Sequence, residues 1–233
     1  MIFAHTTPAG YRVELDTATA FCTLSVMGEV EPSGRQLLVE RRDGGKVLQR
    51  FILRSASAVA AAASGSPLPD ALPGRALDVF ADSVYDRKDL LGEPVATHQP
   101  TDDTERALFA AAWDAGARVR ALGITPIGIR RIVATLNAEL YDCIDFLAAT
   151  PDSGFMLCAL CTDDSRAAAR SAAALRLSLA EYVMMAGGYI PRNAAVARNL
   201  VLVSPRCVRI TPLPDMSVAA RDAVIDHCFQ PPF

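Results

Sequence analysis

Aromatic residues make up only 6% of the 233 positions, Trp113 is the single tryptophan, and lysine occurs only at Lys46 and Lys88. The formal charge is just -3. A mildly acidic sum gives no long-range attraction to phosphate, which argues against a surface built throughout for nucleic acid or anionic lipid. With so little lysine, the many arginines read as the codon bias of a GC-rich genome rather than as a binding device. Long apolar runs are missing too: Ser57 to Ala63 and Ala172 to Met185 are short or broken by charge, below the roughly 18 uncharged residues of a membrane span. The start, Met-Ile-Phe-Ala-His-Thr-Thr-Pro, lacks a basic leader and an apolar core, so no secretory signal is expected. Six cysteines (Cys22, Cys143, Cys158, Cys161, Cys207, Cys228) are too sparse for a disulfide framework. A cytoplasmic, reducing setting without membrane attachment is the expectation.

Signature motifs are also wanting. There is no Gly-x-x-x-x-Gly-Lys loop, no Gly-x-Gly-x-x-Gly turn, no Gly-x-Ser-x-Gly elbow and no His-Glu-x-x-His. His5, His98 and His227 are the only histidines, and His98 falls in a loop beside Pro100. The pairs Asp102–Asp103 and Asp163–Asp164 read as helix caps rather than acid/base dyads. No catalytic residue, cofactor site or metal site is assigned.

What the chain does have is 51% apolar residues at 21% charged, which excludes a disordered or low-complexity polymer. Alternation of β-branched and polar residues predicts strands at 11–15, 19–30, 36–42 and 46–53, with a hairpin at Asp43-Gly44-Gly45 whose glycines supply the turn's positive φ. Its basic run, Arg41, Arg42, Lys46, Arg50 and Arg54, is interleaved with acids and reads as a solvated face. An alanine-rich helix follows over 55–63, then a loop with three prolines over 64–75 and a short helix over 76–85. Helix starts are signalled by Thr101-Asp102-Asp103-Thr104 and by Thr162-Asp163-Asp164-Ser165; their likeness reads as convergent capping rather than duplication. A buried strand is expected over 154–161, strands over 200–204 and 208–211, and a last helix over 217–228. The expected fold is α+β, an N-terminal antiparallel sheet of four or five strands followed by a mostly helical region with a few more strands. The expected organisation is a β-rich region 1–63, a proline-rich connection 64–100 and a helical region 101–233, the last able to form one domain with the first.

The sharpest local signal is Leu122-Gly-Ile-Thr-Pro-Ile-Gly-Ile-Arg-Arg-Ile-Val133. Gly123 suits a tight turn between helices, Leu122, Ile124, Ile129 and Ile132 are spaced to lock them together, Thr125 caps and Pro126 opens the second helix, and Arg130 and Arg131 would face outward. The stretch resembles the turn and recognition helix of bacterial helix-turn-helix regulators. Against that stand Arg118 at an expected apolar position and a second helix that would run to about Ala149 past Glu139, Asp142 and Asp145, acids that repel phosphate. An ordinary αα-hairpin on a sheet is the competing expectation.

Cys158-Ala-Leu-Cys161 has redox or half-zinc spacing, but on a strand residues three apart project from opposite faces, so the two read as small apolar core residues. Cys207, His227 and Cys228 have no partner at metal-knuckle spacing. The helix over 167–185 is apolar around much of its circumference, and its end at Val183, Met184 and Met185 belongs either to the core or to an interface with another chain. Because alanine-rich helices bury little area each, association is expected to cover a further apolar face. The leading expectation is a non-catalytic accessory protein acting through protein contacts, with itself or another protein. The alternatives are a DNA-binding regulator using residues 115–136, and an enzyme whose site leaves no sequence trace.

Overall fold

The computed structural model describes residues 2–6, 12–16, 36–43, 46–87, 98–135, 140–163 and 167–229; of the side chains, those of residues 53–87, 98–130, 133–135, 140–163 and 167–226 are described. Among the described residues, nine strands form one mixed sheet: β1 (Ile2–Thr6), β2 (Arg12–Asp16), β3 (Gln36–Asp43), β4 (Lys46–Ser55), β5 (Thr125–Thr135), β6 (Leu140–Ala149), β7 (Phe155–Cys161), β8 (Val196–Ser204) and β9 (Cys207–Pro212). Five described helices accompany them: α1 (Ala56–Ser64), α2 (Gly74–Val84), α3 (Asp103–Arg120), α4 (Ala167–Ala186) and α5 (Val218–Phe229). None of the described helices is long and apolar enough to cross a membrane.

The mixture of helices and strands is as expected, but its arrangement corrects the sequence reading. The first four strands are antiparallel neighbours in the order β2-β1-β3-β4, yet they do not make a sheet of their own. β4 continues into the rest of the sheet by pairing in parallel with β6, Arg54 opposite Leu140 and Ser55 opposite Tyr141, and β7 pairs in parallel with β8. β3 and β4 pair with Asp43 opposite Lys46, the register expected of a two-residue hairpin connection; Gly44 and Gly45 themselves lie outside the described residues. The strand expected over 19–30 lies outside the described residues.

The largest correction falls on residues 125–149. Instead of one long helix they form β5 and β6, antiparallel from Thr125 opposite Ala149 to Thr135 opposite Leu140. The composition favours this outcome: Ile127, Ile129, Ile132, Val133 and Thr135 are β-branched, and Pro126 and Gly128 oppose a helix interior. The isoleucines that matched a helical period also fit a twisted, bulged strand, and the register indeed shifts between Pro126 and Gly128.

Helices cover both faces of the sheet. On one face α2 and α3 pack on Phe146, Ala148, Met156, Cys158, Leu160 and Val201. On the other, α1, α4 and Ile225 of α5 pack on Leu140, Ile144, Leu147, Leu157, Cys161 and Leu200. The α2–α3 crossing depends on Gly116, where an added Cβ would sit 2.6 Å from the Phe80 carbonyl oxygen and 2.6 Å from Ser83 Cβ. The start of α3 is built as the sequence implies: the Asp102 carboxylate accepts from Glu105 N at 2.7 Å, and Glu105 reaches back to Thr101 N at 2.7 Å, a contact that lowers the Glu105 pKa. The signal expected at Thr162-Asp163-Asp164-Ser165 lies partly outside the described residues. Ser55 caps α1.

Candidate functional site: a fork in the sheet

β6 is the only described strand with three partners. β5 occupies one of its edges along the whole length. The other edge is divided: β4 pairs at Leu140 and Tyr141, β7 pairs from Phe146 to Ala149, and residues 142–145 have no strand beside them among the described residues. Because β4 runs parallel to β6 and β7 antiparallel to it, the carboxyl ends of β4 and β7 converge on this gap. Open sheets place ligands outside strand carboxyl ends where neighbouring strands part company.

Side chains replace the missing ladder. Arg176, from the apolar face of α4, lies in the gap and its Nη2 donates to the main-chain carbonyl of Cys143. Its Nε donates to Asp142 Oδ2 at 3.2 Å, and Nη1 and Nη2 donate to Asp145 Oδ2 and Oδ1 at 3.3 and 3.2 Å. Asp145 Oδ2 in turn accepts from the main-chain N–H of Leu160 at 3.0 Å, standing in for a strand carbonyl. Ser57, in the first turn of α1, donates to Asp142 Oδ1 at 3.0 Å. Further along β7 the segment 70–72 takes over the edge, with Leu72 N donating to Leu160 O and Thr162 N to Asp70 O.

With both carboxylates ionised the triad carries one negative charge in excess, and it is buried: the Asp142 side chain is 1% exposed and that of Arg176 12%. Burial pushes the Asp142 carboxyl above its ordinary value, against the pull of the Arg176 guanidinium. Burial also opposes the charge on Arg176, but Asp142 and Asp145 more than offset it and hold the guanidinium above its usual range. The Cys143 thiol is pushed up to about 12 by burial and by the two carboxylates, so it stays protonated. Tyr141 is raised by burial, although a hydrogen bond with Ser55 favours its ionised form.

Around this plug a cavity of about 400 Å³ remains, lined by the triad, by Ser55, Ser57 and Tyr141, and by apolar side chains including Leu68, Leu160, Ala173 and Leu200. Asp145 is a fifth exposed and lines the cavity, and its Oδ1 accepts from Arg176 alone among the described residues, leaving capacity for one more donor. The site can therefore satisfy one cationic or hydrogen-bond-donating group beside an apolar body.

Comparison with protein-family models, with curated proteins and with solved structures returned no match. The site therefore rests on its own geometry.

None of the residues proposed in the sequence for DNA binding or an interface lines this cavity; Asp142 and Asp145, noted there only as acids that oppose phosphate, line it, as do Cys143 and Cys161. Thr125 is exposed at the start of β5, and Arg130 lies within that strand rather than on a recognition helix. The main chain of Arg131 pairs opposite Ile144; its side chain is outside those described. Gly123 has a φ of 72° and turns the chain from α3 into a strand, so neither the recognition helix nor the competing αα-hairpin forms. Leu122, expected to lock two helices, is 50% exposed. Val183 and Met184 are fully buried in the chain's own core and Met185 packs against it, so of the two expectations for the end of α4, core or interface, these side chains follow the core. Cys158 faces the α2–α3 layer and Cys161 the α1–α4 layer, on opposite sides of β7 as the strand period requires. The side chains of His5, His227, Cys22 and Cys228 lie outside those described.

Proposed function

We propose that the protein is a non-catalytic binding protein whose fork cavity seats a small, mainly apolar molecule bearing one cationic nitrogen. The observation that carries this reading is Asp145, whose Oδ1 keeps capacity for a further donor beside Arg176 and Asp142 where β6 has no neighbouring strand among the described residues, inside a mainly apolar cavity of about 400 Å³. A compact apolar hollow with a few convergent polar groups is the usual form of a small-molecule site. An ammonium group placed beside Asp145 would donate to its carboxyl oxygen, whereas a ligand carboxylate would set acceptor against acceptor there.

The reading is tested by thermal unfolding with three cyclohexyl compounds that differ only in the polar group: cyclohexylamine, cyclohexanol and cyclohexanecarboxylate. The amine raises the Tm saturably, the alcohol less, and the acid not at all. Ala173→Leu, which fills the cavity from α4, abolishes the amine response. Equal responses to all three, or an undiminished response in Ala173→Leu, would overturn the proposal.

Self-association stays within the proposal on a separate observation. Leu122 and Ile127, 50% and 42% exposed, flank the turn from α3 into β5, a strand paired on one edge only among the described residues. Light scattering at two concentrations separates a monomer from an oligomer, and Leu122→Asp with Ile127→Asp shifts an oligomer towards monomer.

A further inference from the structure

A second concave site lies on the opposite face of the sheet, between α2 and β5, and shares no residue with the fork. It is a cleft of about 320 Å³ lined by Asp78, Asp82, Tyr85, Arg87, His98 and Arg130. Asp78 anchors its wall, with His98 Nε2 at 2.9 Å from one carboxylate oxygen and Arg130 Nη1 at 3.8 Å from the other. The second distance is an ion pair too long for a hydrogen bond, so the Arg130 guanidinium has no hydrogen-bond partner among the described residues. Asp82 lines the cleft at 2% exposure; Arg87 Nη1 donates to its Oδ1 at 3.0 Å, while Oδ2 is buried with no hydrogen-bond partner among the described residues.

The two groups ask for opposite things. A buried carboxylate oxygen left without a donor is costly, and a ligand ammonium or hydroxyl would satisfy it. A half-exposed guanidinium with free N–H groups suits a planar carboxylate. Backbone strain falls at the same place: Arg130 has a φ of 50°, in the left-handed region that a long side chain rarely adopts. Glycine would hold that conformation at lower cost, so the arginine side chain is carried there against a backbone penalty. Charges in the cleft balance between Arg87 and Arg130 on one side and Asp78 and Asp82 on the other, which favours a ligand that is itself neutral overall.

We propose that this cleft binds a small zwitterionic amino acid, its ammonium on Asp82 and its carboxylate on Arg130. Calorimetric titration of the intact protein with a panel of small amino acids (glycine, alanine, serine, threonine and proline) tests it, with acetate and ethylamine as single-group controls. At least one amino acid binds about tenfold or more tightly than either control. Asp82→Asn and Arg130→Gly each remove that binding, while Arg130→Gly leaves the Tm unchanged or higher because the strain is relieved. Binding of the controls as tight as that of the amino acid would overturn the proposal. So would retention of binding in either variant, a fall in Tm in Arg130→Gly, or no amino acid binding at concentrations up to about 10 mM.

Discussion

Arg176 donates to the main-chain carbonyl of Cys143, taking the place of a strand in the gap on which the carboxyl ends of β4 and β7 converge. A guanidinium is suited to this position because its five N–H groups reach a backbone carbonyl and two carboxylates at once. The fork is thus held by a charged plug and not by packing alone.

The first prediction concerns that plug. Arg176→Leu leaves Asp142 buried without its counter-ion, and loss of one partner from a buried pair costs about 3–5 kcal/mol. Adding Asp142→Asn and Asp145→Asn removes the stranded charges and recovers part of the loss. Urea denaturation of the single and triple variants measures both; equal stability of Arg176→Leu and the parent would contradict the role assigned to the triad.

The pH dependence follows from Asp142. Its folded pKa lies above the ordinary aspartate value, so between the two the native state holds more protons than the unfolded chain. Its contribution is fully present below the ordinary value and is lost as pH rises through the folded one. The difference in stability between the parent and Asp142→Asn should therefore move against the parent as pH rises through that window. Denaturant midpoints measured at pH steps from 4 upward check the sign.

Thiol reactivity provides a third expectation. Cys143 is held protonated, burial raises the Cys158 thiol further, and Cys161 is buried, whereas Cys207 is exposed on β9. The thiolate is the reactive form, so of these four Cys207 alone should be alkylated in the native protein at pH 8. Peptide mapping by mass spectrometry reads this directly, and unfolding in guanidinium should make all four react.

A fourth expectation tests the packing that supports the cleft on α2. Gly116→Ala forces α3 away from Phe80 and Ser83 and should cost about 1–3 kcal/mol, the usual penalty of overpacking. The Ser83 hydroxyl, which donates to the Trp113 carbonyl at 2.7 Å, lies in the same contact. Ser83→Ala should cost less, near the ~1 kcal/mol of one hydrogen bond.

Much of the scaffold was legible because it is written locally. Asp102 announces α3, the Asp43-Gly44-Gly45 turn announces the β3–β4 hairpin, and the unbroken apolar run 155–161 announces a strand buried on both faces. The β5–β6 pair was misread because Leu122, Ile124, Ile129 and Ile132 satisfy a helical spacing, while the cross-strand partners that decide the issue lie up to 24 residues away, as for Thr125 and Ala149. The fork was invisible for a related reason: it arises where β4, from a distant part of the chain, meets the registers of β6 and β7. Its one sequence trace was chemical. Arg176 stands alone between Leu175 and Leu177, and Asp142 and Asp145 interrupt an apolar strand; charges in such company need partners when buried. Arg130 stands out in the sequence only as a DNA-binding candidate and His98 only as a loop histidine, and their meeting with Asp78 leaves no trace, since the three come from a strand, a loop and a helix that only the fold brings together.

A cationic nitrogen seated in the fork cavity beside Asp145 would lie close to the Arg176 guanidinium. The most direct measurement follows the Arg176 Nε–H resonance by NMR while cyclohexylamine is titrated into the parent protein and into Ala173→Leu. A saturable shift in the parent that is absent from the filled variant is the predicted result; an unmoved Arg176 resonance at saturating amine, or the same shift in both proteins, would contradict it.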